Sequence, residues 1–178
     1  MARPFSPSVN IVRDEAQELS YHPTPNAQTV FGQLVNNYLS GIHCFNIVGA
    51  YGTGKSAFLW AFQQTLTKQH TYFPTKVGFK GVKAFRFDHF VGQYASLKQT
   101  LAQHFVPGAS ADTSTATIIA AINDQYQTLA KGKTALVLVV DEFGKFLEYA
   151  AKENPEEELY FIQELWNTSL TPARTSFY

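Results

Sequence analysis

The stretch that decides the fold is Gly49-Ala50-Tyr51-Gly52-Thr53-Gly54-Lys55-Ser56, which satisfies the pattern G-x-x-x-x-G-K-[ST] at every fixed position. Glycines allow a backbone to turn so tightly that consecutive N–H groups point into one concavity. A match by chance in a chain of this length has a probability of roughly one per cent. We therefore predict a loop that wraps an anion and opens a helix, whose N-terminus adds further N–H donors.

The segments around this loop predict alternating strands and helices. A short apolar strand is expected at 42–48, before the loop, and an amphipathic helix at 55–67, after it. Upstream, Asn26 can cap a helix over 27–39 that Gly41 ends. Downstream, strands are expected at 82–88 and 135–140, and helices at 91–105, 114–130, 145–151 and from Pro155 onward, the last capped by Asn154. This alternation indicates an α/β domain with a mainly parallel sheet over residues 26–178, after an irregular, proline-containing segment at 1–25.

The strand at 135–140 ends in two carboxylates. Its six consecutive apolar residues suit a strand that helices cover on both faces, and Asp141 and Glu142 follow directly. In isolation this ending would more often be a solvated strand terminus. Because α/β proteins bind ligands at the carboxyl ends of parallel strands, we expect Asp141 to hold a magnesium ion through a water. Glu142 is expected to orient and deprotonate the water that attacks the γ-phosphate.

The loop, the apolar strand and the Asp-Glu pair together resemble the Walker A and Walker B motifs of P-loop ATPases. The glutamate after the aspartate is similar to that of the branch containing AAA+, origin-recognition-like and STAND ATPases. The resemblance covers about residues 27–178, with specific motifs at 49–56 and 136–142. Residues 141–148 also resemble a segment of large bacterial phage-defence ATPases. The resemblance implies a three-layer sandwich, of which this chain would be the front part, with 171–178 entering the fourth core strand.

The resemblance carries roles onto individual residues, with ATP and Mg²⁺ as the implied cofactors. Lys55 would contact the β- and γ-phosphates and serve catalysis together with Glu142, while Ser56 and Asp141 would hold the metal. The nucleotide-binding set would be Gly49, Ala50, Tyr51, Gly52, Thr53, Gly54, Lys55, Ser56 and Ala57. The expected function is ATP hydrolysis that drives or resets a conformational change in a larger assembly, with weak activity in the isolated chain. The alternative is a switch or scaffold that binds ATP without appreciable turnover.

Several further residues have two possible interpretations. The segment 9–25, with Ile11, Val12, Tyr21 and Pro23, could contact adenine or simply pack on the core. Asp88 and His89 could restrain the catalytic glutamate or form an ordinary strand end. Lys145 could sense a neighbouring subunit or be solvated. A small-molecule kinase is disfavoured because no acceptor pocket is apparent, and GTP because the chain has no Asn-Lys-x-Asp motif.

Composition narrows the class of protein. Fourteen basic and 14 acidic side chains give zero formal charge, so a nucleic-acid partner is possible but not indicated. Cys44 is the single cysteine, which excludes an internal disulfide and fits a reducing compartment with this thiol as a small buried hydrophobe. No apolar stretch approaches the roughly 20 residues that span a bilayer. We expect a cytoplasmic protein without a membrane, whose partners are ATP or ADP and either other protein subunits or the rest of the ATPase.

Overall fold

A computed structural model describes residue 11, residues 20–74, residue 79 and residues 81–170, without the side chains of 169 and 170. This part of the chain contains six helices and two strands, with two helices before the first strand, two between the strands and two after the second. The elements are α1 (Pro25–Leu39), α2 (Lys55–Leu66), β1 (Ala84–Val91), α3 (Leu97–Phe105), α4 (Thr115–Lys131), β2 (Thr134–Asp141), α5 (Phe143–Glu153) and α6 (Pro155–Leu170). The predicted mixed α/β class is confirmed, while most of the segment 1–25 and the expected fourth strand at 171–178 lie outside the described residues.

The two strands pair in parallel. Lys83 N–H donates to the Lys133 carbonyl at 2.7 Å, and Gly92 N–H donates to the Asp141 carbonyl at 2.8 Å, so both chains run in the same direction. A parallel pair requires a long crossover, and here α3 and α4 lie between the strands in sequence. The expectation of a mainly parallel sheet is confirmed for these two strands.

The chain divides into two compact units, which are described separately. The first comprises Met1–His89 and Lys133–Val139, and therefore contains α1, α2 and most of both strands. The second comprises Phe90–Gly132 and Val140–Tyr178, and therefore contains α3 to α6 and the carboxyl ends of both strands. The glycine-rich loop belongs to the first unit and the acidic pair to the second.

Aromatic packing dominates the core of the first unit. The rings of Phe31 on α1 and Phe73 stack with centroids 4.7 Å apart, and Phe58 on α2 meets Phe73 edge-on at 5.5 Å. Thr65 ties the 72–73 segment to α2, because its hydroxyl accepts the N–H groups of Tyr72 at 3.1 Å and Phe73 at 3.3 Å. Such rings each bury a large apolar area, so this cluster anchors the helix that follows the glycine-rich loop.

Local capping explains where the helices begin. Thr24, rather than the predicted Asn26, caps α1: its hydroxyl accepts the Ala27 N–H at 3.2 Å and Pro25 occupies the first turn. The predicted helix at 114–130 is confirmed as α4, which Ser114 caps by accepting the Thr117 N–H at 3.1 Å and which Gly132 ends. The predicted start of the third helix near residue 91 is wrong, because Val91 continues β1 and Ser96 caps α3 instead.

The predicted strand at 42–48 is wrong for the described structure. These residues form no regular element, and the apolar side chains of Ile42, Phe45 and Val48 are exposed, Val48 by 85%. β-branched residues favour a strand only when a neighbouring strand supplies hydrogen bonds and packing. Likewise, of the residues at 135–140, which we expected to be covered on both faces, only Val139 is buried.

A buried polar cluster joins α3 and α6 in the second unit. Glu158 is only 3% exposed, and its carboxylate accepts hydrogen bonds from the Ser96 hydroxyl and from the Lys98 N–H. Lys98, 6% exposed, pairs its ammonium with Glu157. The carboxylate of Glu158 therefore lies at the positive end of α3. From the sequence alone, Glu158 is predicted only to lie in the first turn of α6.

The Lys98–Glu157 pair predicts a dependence of stability on pH. The hydrogen bond from Lys98 holds the pKa of Glu157 below its ordinary value of 4.5. Because the pKa of Glu157 is lower in the folded state than in the unfolded state, the pair stabilises the protein fully above pH 4.5. This contribution disappears as the pH falls through the pKa that Glu157 has in the folded protein. We expect Glu157→Gln to lower the unfolding free energy by no more than about 1 kcal/mol at pH 7, since Glu157 is half-exposed, and by less near pH 3. Urea titrations at both pH values measure this, and an equal loss at both would contradict it.

No helix in the described part of the chain combines the length and apolar character needed to cross a membrane.

Candidate functional site

The glycine-rich loop requires glycine at two positions. Gly52 has a φ of 78° and Gly54 a φ of 85°, both in the left-handed region that side chains disfavour. A Cβ at either position would meet nothing within 4 Å, so backbone angle and not space is the constraint. The loop is exposed, with Tyr51 97% accessible. These angles turn the chain into α2, for which Gly54 is the capping residue.

Lys55 folds its side chain back over this loop. Its ammonium donates to the carbonyls of Gly49 and Ala50, both at 2.8 Å, and the Thr53 hydroxyl also donates to Ala50 at 2.8 Å. A Cβ on Gly49 would lie 3.0 Å from the Thr53 hydroxyl. The positive charge is therefore held against the first two residues of the loop, where a bound anion could replace the carbonyls as its partner.

The start of α2 is electrostatically suited to an anion. The first helical bond joins Phe58 N–H to the Gly54 carbonyl at 2.9 Å, so the N–H groups of Lys55, Ser56 and Ala57 precede the helical ladder. The first turn of α2 contains no acidic residue, and its cap, Gly54, has no side chain to compete for these donors. The loop and this helix end thus combine a cation, oriented N–H groups and the positive end of a helix dipole.

The acidic pair forms a tight turn at the end of β2. Asp141 accepts the Glu142 N–H through its Oδ1 atom at 2.9 Å. Glu142 adopts a left-handed conformation, φ 51° and ψ 39°, and is the capping residue of α5. Its Oε2 atom lies 2.7 Å from the Lys145 ammonium, and its carbonyl accepts the Lys145 N–H at 3.0 Å. The two neighbouring carboxylates therefore engage different partners.

The predicted site residues fall into two groups that the structure describes separately. The loop residues 49–54 are contiguous with Lys55, Ser56 and Ala57 on α2, in the first unit, whereas Asp141 and Glu142 lie in the second. Ser56 offers a hydroxyl and Asp141 a carboxylate, the hard oxygen donors that suit Mg²⁺, which keeps several waters and takes few protein ligands. Among the described residues no cluster of three or more histidine, cysteine or acidic side chains is arranged to hold a metal.

The secondary candidates have structural partners. Tyr21 packs edge-on against Tyr72 at 5.5 Å, which favours packing on the core over contact with adenine for this residue. Asp88 and His89 do not end their strand, because β1 continues to Val91. Asp88 pairs with Arg86 at 3.1 Å, and His89 Nε2 lies 2.6 Å from the amide oxygen of Gln63 on α2. Ile11 is buried, and Val12 lies outside the described residues.

The sequence interpretation missed Gly92. This buried glycine follows β1, and a Cβ there would lie 2.1 Å from the Glu142 carbonyl oxygen. Only its position directly after a strand hinted at the role, because glycine at such a place can mark the close approach of another backbone. For Lys145 the sequence predicts a sensor or a solvated residue, whereas the structure shows it as the ion-pair partner of Glu142.

Comparison of the chain with protein-family models, with curated proteins and with solved structures finds no match. The loop and the acidic pair are therefore the features from which a function can be inferred.

Proposed function

We propose that this protein binds Mg-ATP on the loop at 49–56 and hydrolyses it, as a P-loop ATPase of the AAA+, origin-recognition-like and STAND branch. One observation carries the proposal: Lys55 is folded over a loop in which Gly52 and Gly54 are left-handed and which opens directly into a helix N-terminus. A merely flexible glycine turn would require neither the lysine placement nor the uncapped helix end. Triphosphate, with its high negative charge, is the ligand that uses all three features.

In this proposal the protein acts mainly by positioning and by charge stabilisation. The N–H groups of the loop hold the phosphate oxygens, and Lys55 exchanges its two carbonyl partners for the β- and γ-phosphates. Ser56 and Asp141 are the residues that would hold Mg²⁺, whose charge would neutralise that of the phosphate oxygens. Glu142 orients the attacking water and accepts its proton. Further cationic groups would come from a neighbouring subunit or from the rest of a longer chain, and turnover would drive a conformational change in that assembly.

The proposed fold is a three-layer sandwich larger than the two-stranded sheet described above. The exposure of Ile42, Phe45 and Val48, and the partial burial of 135–140, support further strands that cover these apolar residues. Segments of a longer chain or another protein subunit would supply those strands.

A switch that binds ATP without appreciable turnover is the second candidate. The ion pair between Glu142 and Lys145 favours it, because the carboxylate that would orient water has the Lys145 ammonium as its partner. Hydrolysis requires Glu142 to leave this partner for water. The pair is about half-exposed, so the free energy needed to separate it is at most about 1 kcal/mol.

Removal of the Lys55 ammonium tests nucleotide binding directly. We expect Lys55→Ala to weaken Mg-ATP affinity about 100-fold, because charge-assisted hydrogen bonds contribute about 1.5–3 kcal/mol each and every 1.4 kcal/mol is about tenfold in affinity. Titration calorimetry with Mg-ATP measures this. Folding should be unchanged, since the carbonyls that Lys55 contacts lie in an exposed loop.

Lys131→Ala is the matched control, because this exposed lysine lies in the last turn of α4. It removes the same charge and should leave affinity unchanged. The absence of heat with the wild-type protein, or equal affinities for both variants, would refute the proposed binding site.

A further inference from the structure

Gly92 packs directly against the backbone of the acidic pair. A Cβ at this position would lie 2.1 Å from the Glu142 carbonyl oxygen, 2.7 Å from its carbonyl carbon and 3.2 Å from the Asp141 carbonyl oxygen. All three atoms belong to backbone, which cannot swing aside as a flexible side chain can. The Gly92 N–H also donates to the Asp141 carbonyl at 2.8 Å. Any side chain here must therefore displace the Glu142 carbonyl group, and with it the backbone turn that Asp141 and Glu142 form.

The turn at Glu142 is conformationally strained. Glu142 is one of the few described non-glycine residues with positive φ, at 51°, a conformation that costs an ordinary residue about 1–2 kcal/mol. The turn is held by the Asp141 carboxylate on the Glu142 N–H and by Lys145, whose N–H and ammonium both contact Glu142. Strained residues of this kind persist where the surroundings determine them and cluster at functional sites.

We propose that Gly92 is a positioning residue for the acidic pair: its missing side chain makes room for the left-handed turn that sends the carboxylates of Asp141 and Glu142 to different partners. This inference rests on the proposed ATPase function for its chemistry, since the pair is the one assigned to magnesium and to water. Gly92 itself touches neither metal nor nucleotide. Gly92 acts by leaving room for the backbone of Asp141 and Glu142 at the end of β2.

Gly92→Ala tests the proposal, with Gly144→Ala as the matched control. Gly144 lies in α5, two residues beyond Glu142, and a Cβ there would meet nothing within 4 Å. The affinity of a fluorescent ATP analogue is measured in excess EDTA and in excess Mg²⁺, and ATP hydrolysis is measured in single turnover.

We expect Gly92→Ala to keep the metal-free affinity, which the loop and α2 provide, but to lose the gain that Mg²⁺ adds. Hydrolysis should fall about 100-fold, the effect of misplacing a catalytic group by about 1 Å. Gly144→Ala should match the wild-type protein in all three measurements. A Gly92→Ala variant with the wild-type response to Mg²⁺ and wild-type hydrolysis overturns the proposal, and so does an equal loss of affinity with and without metal, which a general defect in folding would cause.

A second pair of variants keeps the test decisive if Gly92→Ala does not fold. At a left-handed position Glu142→Gly should unfold about 2–4 °C higher than Glu142→Ala, because glycine alone adopts this conformation without strain. An equal or higher midpoint for Glu142→Ala would show that the turn is not left-handed and would overturn the proposal. If the wild-type protein binds no ATP in either condition, the proposed function fails, whereas this thermal comparison still judges the geometry around Gly92.

Discussion

Glu142→Gln is expected to lower the rate of ATP hydrolysis by about 10²–10⁴-fold and to leave Mg-ATP affinity nearly unchanged. Glutamine keeps the size of the side chain and one oxygen for orienting water, but it does not accept a proton at neutral pH. The Lys145 partner loses its ion pair, which is half-exposed and contributes little to stability. Because slow turnover is expected of the isolated chain, single-turnover measurements with protein in excess over labelled ATP are the appropriate readout.

Glu148→Gln is the matched control for this variant. Glu148 lies on the same helix, α5, is exposed, and pairs with Lys152 at 3.2 Å, so the same chemical change removes a similar surface ion pair. It should hydrolyse ATP at the wild-type rate. Equal rates for wild type, Glu142→Gln and Glu148→Gln would remove Glu142 from catalysis. If those equal rates were no higher than that of ATP without protein, while Mg-ATP binding remained intact, the protein would fit the switch better than the enzyme.

Glu158→Ala is expected to lower the free energy of unfolding by about 2–4 kcal/mol. The variant removes a buried carboxylate and leaves the Ser96 hydroxyl hydrogen and the Lys98 N–H without their acceptor. Each buried donor left without an acceptor costs about 1–3 kcal/mol. Part of this loss is offset, because the variant no longer buries the negative charge of the carboxylate. Denaturant unfolding followed by circular dichroism measures the change.

Glu156→Ala provides the comparison, since Glu156 is exposed in the same first turn of α6. Both variants lose one negative charge near the helix N-terminus, an effect worth about 0.3–1 kcal/mol. Only Glu158→Ala also loses the contacts to α3. Similar losses for the two variants would mean that the buried bonds to Ser96 and Lys98 do not stabilise this unit.

Residues 42–48 show why some structures predicted from local sequence patterns were wrong. This run of apolar residues has strand composition, yet in the described structure no strand pairs with it and Val48 is exposed. By contrast, α2 and α4 lie within a residue or so of their predicted bounds. A helix satisfies its hydrogen bonds within its own segment, whereas a strand depends on a neighbour that the local sequence does not specify.

The amino-acid sequence by itself determined the features that depend on nearby residues: the glycine-rich loop opening α2, the caps of α4, and an apolar strand ending in Asp141 and Glu142. Only the tertiary structure decided that Gly92 lies against the Glu142 carbonyl, and that Glu158 is buried at the start of α3. Turns and caps follow from a few consecutive side chains and the angles that each residue allows. Contacts between residues distant in the chain depend on how whole elements pack, and no periodicity within one segment encodes that packing.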